Sequence, residues 1–153
     1  MKKGSLVVNF YEIFNEDLSS VNEAEFNDVS FQARDFLLYL ERPVKLVEIE
    51  SIRVDRSCRR QGHGSEMLKA LCTGKEDTII IAAAGALTSE FKEEPTREQY
   101  KALFSDLDKF YTHNGFVDVT ATFGTYDGTS KRTYLYQNDI GKELLRKAGE
   151  KGV

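Results

Sequence analysis

The segment Arg59-Arg60-Gln61-Gly62-His63-Gly64 carries the clearest chemical signal in the sequence. An alternating run over Val44–Val54 leads into it, and an apolar pattern of helical period over residues 65–72 leads out. A strand–loop–helix junction of this kind can bind phosphate. The first amides of a helix have no intrahelical partner and can point at an anion. The helix dipole adds about half a positive charge at that end. Gly62 and Gly64 carry no Cβ to hold the backbone away from a ligand. Arg53, Arg56, Arg59 and Arg60 supply counter-charge of the kind a polyphosphate needs. Two common phosphate motifs fail. The loop ends Gly-His-Gly-Ser where a Walker loop has Gly-Lys-Ser/Thr, and it lacks the third glycine of the dinucleotide fingerprint. The plain alternative is a strand-to-helix turn with a solvated basic face.

The elements around this junction follow from pattern. Residues 6–14 read as a first strand. Residues 21–40 carry apolar positions at helical spacing, with a helix followed by a strand as the open alternative before Pro43. In Val44–Val54, strict alternation puts Glu48, Glu50, Ile52 and Val54 on one face and Val47, Ile49, Ser51 and Arg53 on the other. Thr78–Ala84 is apolar without alternation, the mark of a buried parallel strand. Residues 85–95 form a long acidic loop. Residues 96–114 form an amphipathic helix ended by Gly115. Residues 116–126 and 132–137 read as two strands joined at Asp127-Gly128. Asn138 or Asp139 caps a last helix over 140–148.

The loop is similar to the R/Q-x-x-G-x-G/A signature of the GNAT superfamily, the acyl-CoA-dependent N-acyltransferases. Arg59, Gly62 and Gly64 match it, and the hydrophobic Val54 stands at the expected offset. A second stretch, Phe110-Tyr111-Thr112-His113-Asn114-Gly115-Phe116, resembles the family's F-Y-x-x-x-G-F segment in the right order downstream. The resemblance implies a three-layer α/β fold with a mixed, splayed central sheet. Here the amino-terminal half would be abbreviated if residues 21–40 are all helix. It implies acetyl-CoA as acyl donor, held by Gln61, Gly62, His63, Gly64 and Ser65 with Arg59 and Arg60. The pantetheine would pair with the strand edge at Ile52, Arg53 and Val54. It further implies Glu48 as general base, with Glu50 as the other candidate, and Tyr111 as proton donor to the departing thiolate. The plain alternatives are a solvated strand face for the two acids and a core tyrosine for Tyr111. One position departs from the family: Phe104 stands where an asparagine is usual.

Composition bounds the rest. The 153 residues suit a single domain over 1–153, and 41% hydrophobic with 30% charged is ordinary for a globular chain. A net charge of -4 gives no support to general nucleic-acid binding. Cys58, Cys72, His63 and His113 make neither a disulfide framework nor a persuasive zinc set, so no metal is expected and the thiols fit a cytoplasmic protein. No apolar run is long enough for a membrane helix. The expected function is transfer of acetyl from acetyl-CoA to a primary amine, on a small molecule or on a protein lysine or N-terminus. A homodimer is left open. The competing classes are a coenzyme-binding protein without turnover and a plain interaction module.

If Arg59 and Arg60 neutralise coenzyme phosphates, Ala at either should weaken coenzyme A by about 1.5–3 kcal/mol and leave pantetheine nearly unchanged. Calorimetry with both ligands checks this. Equal losses for the two would assign the arginines to the fold.

Overall fold

The computed structural model describes residues 4–13, 40, 44–54, 61–84, 93–94, 96–123 and 132–152. The strands are β1 (Gly4–Ile13), β2 (Val44–Val54), β3 (Thr78–Ala84), β4 (Phe116–Asp118) and β5 (Arg132–Tyr136). The helices are α1 (His63–Cys72), α2 (Arg97–His113), α3 (Thr120–Phe123) and α4 (Asp139–Gly152). The sheet is mixed, in the order β1-β2-β3-β5-β4. Strands β2 and β3 pair in parallel; the other neighbours are antiparallel. The stretch over 21–39, the segment 55–60 with Arg56, Cys58, Arg59 and Arg60, most of the 85–95 loop, and the Asp127-Gly128 turn lie outside the described residues.

Two apolar clusters cover the two faces. On one, Val44, Leu46, Ile79, Ile81 and Leu135 pack under Ile140, Leu144 and Ala148 of α4. On the other, Val47, Ile49, Ile80, Ala82 and Tyr134 pack under Leu68 and Cys72 of α1 and Tyr111 of α2. This is the three-layer α/β arrangement. Each fully buried Leu or Ile contributes about 1.5–3 kcal/mol, so the sheet is held from both sides.

The strand β2 keeps its expected bounds but not its expected faces. The register pairs Val7 with Ser51 and Val8 with Ile49, so β1 has no partner for Glu50. One extra residue on β2 is a β-bulge, and it shifts the side-chain alternation by one. Val47 and Ile49 therefore share a face with Ile52, not with Ser51 and Arg53. Glu48, two residues beyond Leu46, lies on the α4 face with Ser51 and Arg53. The strict alternation expected from sequence is corrected here: Glu48 does not share a face with Ile52 and Val54.

The strand expected over 116–126 is also corrected. It stops at Asp118 because the Asp118 carboxylate accepts hydrogen bonds from the Thr120 amide (2.9 Å) and the Thr120 hydroxyl (2.6 Å). A side chain that captures the amide two residues on starts a turn, and α3 follows. Helix α2 begins at a capping box, with Thr96 Oγ1 accepting from the Gln99 amide and Gln99 Oε1 accepting from the Thr96 amide. It ends at Asn114, and Gly115 takes φ 87°. Asn138 caps α4: its Oδ1 accepts from the Gly141 amide at 2.9 Å while its Nδ2 donates to the carbonyls of Lys75 and Thr78. One buried amide thus ties α4 to the loop that opens β3.

A Cβ at Gly141 would collide with the Tyr136 carbonyl and stand 2.9 Å from Asn138 Oδ1. Gly141→Ala should therefore lower stability by about 2–4 kcal/mol through overpacking and a lost cap. In the same helix Gly149 has nothing within 4 Å of its Cβ position, and Gly149→Ala should stabilise by up to about 1 kcal/mol. Urea unfolding of the two variants checks the contrast.

Candidate functional site

The parallel pairing of β2 with β3 runs from Lys45↔Thr78 to Ile49↔Ala82. Beyond it, the register partners of β2 lie on β1, and those of Ala83 and Ala84 lie on β5. The two parallel strands thus part at the point where β2 carries its bulge. Ile52, Arg53 and Val54 belong to the stretch of β2 past the divergence. Arg53 is exposed.

Past β2, Gly62 takes φ 83° and ψ 6° at the N-cap of α1. A left-handed residue there suits glycine, and among the described residues nothing lies within 4 Å of its Cβ position. Gly62, as the N-cap, has no side chain with which to cap this helix end. The Gly62 carbonyl accepts from the Glu66 amide at 2.9 Å, so the helical ladder begins there and the amides of residues 63–65 precede it. The His63 ring is engaged laterally, with Nε2 3.3 Å from Gln61 Oε1 and Nδ1 3.6 Å from Glu66 Oε2. Its backbone amide is the part aligned with the helix end.

Gly64 has a reason to be glycine in addition to the one its motif suggests. Its Cβ would lie 3.0 Å from Phe110 Cε1 and 3.7 Å from Val54 Cγ2. The residue is buried where α1 approaches α2 and β2. Packing alone requires a small residue here, and ligand access is a separate matter. Ser65, in the same turn, accepts a hydrogen bond from Asn114 Nδ2 at 3.1 Å.

Glu48 is buried, 8% exposed, and pairs in register with Asn9 on β1 and Ile81 on β3. Glu50 is the bulged position. Tyr111 is 2% exposed and lies on the α1/α2 face, opposite Glu48. Its ring stacks on Tyr134 at 4.6 Å and 14° and meets Phe110 and Phe116 edge-on at 5.2 and 5.3 Å. Such contacts add about 0.5–1.5 kcal/mol each beyond burial. Burial first, and Tyr134 second, push the Tyr111 hydroxyl above its ordinary value. Tyr134 rises to about 12 through burial and then the Asp108 carboxylate, to which its hydroxyl donates at 3.2 Å. The same cluster holds Ile49, Ile52, Ala82 and Ala84, which flank the strand divergence, so Tyr111 packs beside the gap.

Phe104, where the resemblance would have an asparagine, lies under the Arg132 guanidinium at 5.0 Å. Sequence reasoning passed over Asn114, Tyr134 and Asp108. Asn114 was visible as the residue before Gly115 in the second motif, but its contact with Ser65 joins positions 49 residues apart.

Residues 24–82 match the model of the acetyltransferase (GNAT) family. This match supports membership of the GNAT superfamily. It spans β2, α1 and most of β3, hence both the glycine loop and the strand divergence, and it supports acyl transfer as the general activity. It ends before α2, so Tyr111 lies beyond it. A solved structure described as a bacterial toxin is 14% identical, with a TM-score of 0.45. The likeness covers 94% of this chain and 64% of that one, less than two thirds of its length. No curated protein matches the sequence. Among the described residues, no group of three acidic, histidine or cysteine side chains could hold a metal ion, and no helix is long and apolar enough to cross a membrane.

Gly64→Ala should cost about 1–3 kcal/mol by pressing on the Phe110 ring. Phe110→Leu in the same chain should recover part of that loss. Urea unfolding of the single and double variants checks this, and a Gly64→Ala protein as stable as wild type would remove the packing constraint.

Proposed function

We propose that this GNAT protein transfers an acetyl group from acetyl-CoA to a primary amine by direct attack. The observation that carries the proposal is the parting of β2 from β3 after Ile49↔Ala82, followed along the chain by an α1 end whose N-cap is the left-handed Gly62. A parallel sheet that opens gives backbone donors and acceptors to an extended ligand arm. The α1 end gives amides and a positive dipole to its phosphates. The residues present fit such a ligand: Gly62 adds no side chain at the helix end, and among the described residues nothing lies within 4 Å of its Cβ position.

The donor supplies an acetyl carbon already activated as a thioester. The chain then has three tasks. Glu48, with Glu50 as the other candidate, takes the proton that the attacking nitrogen must lose as the N–C bond forms. A β2 amide near Val54 donates to the carbonyl oxygen as charge builds there. Tyr111 donates to the sulfur as the C–S bond breaks. The placement of Glu48 and Tyr111 on opposite faces supports this division, with the amine approaching from the α4 face and the thiol leaving towards α2. The cationic acceptor classes are polyamines, aminoglycosides and lysine- or N-terminus-bearing proteins, and the acidic residues in 85–95 are suited to attract them. The deep burial of Tyr111 favours one second reading, a coenzyme-binding protein without turnover.

An ordinary thiol ionises near pH 8.5, well below a tyrosine raised by burial. Tyr111 is therefore fully protonated at neutral pH but a reluctant acid. Tyr111→Phe should keep coenzyme affinity and lower turnover by about 10- to 100-fold. Glu48→Gln should also lower turnover, but its rate should recover at high pH, where the amine loses its proton unaided. Turnover against pH on an amine panel distinguishes the two. Near wild-type turnover in Tyr111→Phe would make Tyr111 a packing residue; binding of acetyl-CoA with no turnover on any amine would favour the second reading.

A further inference from the structure

One side chain joins the two halves of the proposed site. Asn114, the C-cap of α2, donates from Nδ2 to Ser65 Oγ at 3.1 Å and to the Phe110 carbonyl at 2.8 Å. Its backbone amide also donates to the carbonyls of Phe110 (3.3 Å) and Tyr111 (3.1 Å). Both Asn114 and Ser65 are half-buried, so water competes weakly for this contact. Ser65 stands in the first turn of α1, among the amides that precede the helical ladder.

We propose that Asn114 is a positioning residue for phosphate binding, acting by orienting the Ser65 hydroxyl; this rests on the acyl-transfer reading above. A serine hydroxyl has one proton to donate and two lone pairs to accept with. The Asn114 amide is a donor, so it takes a lone pair and leaves the proton for another acceptor. That proton sits in the same turn as the amides of residues 63–65. A phosphate oxygen at the helix end would therefore receive the hydroxyl as well as the backbone. The same asparagine closes the last turn of α2, which carries Tyr111. The end of the phosphate-facing helix and the end of the tyrosine-bearing helix are thus fixed to one another by a single amide.

An arrangement that serves only to join two helices predicts equal effects on every ligand. A positioning role predicts effects on phosphate alone. The test is calorimetry of coenzyme A and of pantetheine on wild type, Asn114→Ala, Ser65→Ala and the double variant, with thermal unfolding recorded for each. Ser65→Ala places a good helix former in α1, so it keeps the test informative if Asn114→Ala folds poorly. Ser65→Ala and Asn114→Ala should each weaken coenzyme A by about tenfold, the scale of one hydrogen bond to a charged group. The double variant should lose no more than the larger single loss, because both remove one contact. Pantetheine, which lacks the coenzyme's pyrophosphate, should bind all four proteins alike. Additive losses, equal losses on pantetheine, or unchanged coenzyme A affinity in Ser65→Ala would overturn the proposal and leave the acyl-transfer reading intact. A wild-type protein that binds neither ligand would overturn both.

Discussion

Strand β2 carries one residue more than β1 can match, and the rest of the site follows from that mismatch. Up to Ile49 the strand is held on both sides, by β1 and by the parallel strand β3. At Glu50 the ladder to β1 skips a residue, and the pairing with β3 has ended one position earlier. A bulge increases local twist and bends the strand that carries it. Past the bulge β2 runs beside α1, where Val54 Cγ2 lies next to the position a Gly64 Cβ would take, while β3 continues alongside β5. The bulge and the divergence together occupy a few residues, yet they set which side chains share a face and where a ligand arm could enter.

The two faces then differ in character. The α4 face is an aliphatic core with Glu48 buried at its margin. The α1/α2 face is rich in rings: Tyr111 meets Phe110, Phe116 and Tyr134, and Phe116 meets Tyr136. Burial holds the hydroxyls of Tyr111 and Tyr134 in the protonated form. In the unfolded chain both would titrate near pH 10, so their contribution to stability is complete below that value and declines as pH rises above it. Proton-accepting and proton-donating groups of the proposed reaction are thereby separated by the sheet itself and meet only where it opens.

Much of this was legible in the sequence, and the failures have physical causes. The bounds of β2 and β3 were readable because apolar β-branched runs between turn residues leave few alternatives. The range of α2 was readable from its amphipathic period and its end from Gly115, whose capping chemistry is local. The faces of β2 were misread because a bulge depends on the neighbouring strand, and nothing in Val44–Val54 itself marks Glu50 as the extra residue. The strand expected over 116–126 ended early because Asp118 and Thr120 form a side-chain turn that alternation does not register. The packing of Gly64 against Phe110 was not legible, because that ring lies far along the chain. Contacts such as Asn114 to Ser65 exist only once α1 and α2 are packed.

The central claim is that an acyl-coenzyme A lies between the parted strands with its phosphates at the start of α1. Backbone amide NMR during titration with acetyl-CoA tests it most directly, because each amide reports its own surroundings. The account predicts large shifts at His63, Gly64 and Ser65 and along 51–53 of β2, with little change in Phe116–Asp118 on the far edge of the sheet. Saturation of the titration without shifts at residues 63–65, or with shifts confined to β4 and α4, would contradict it.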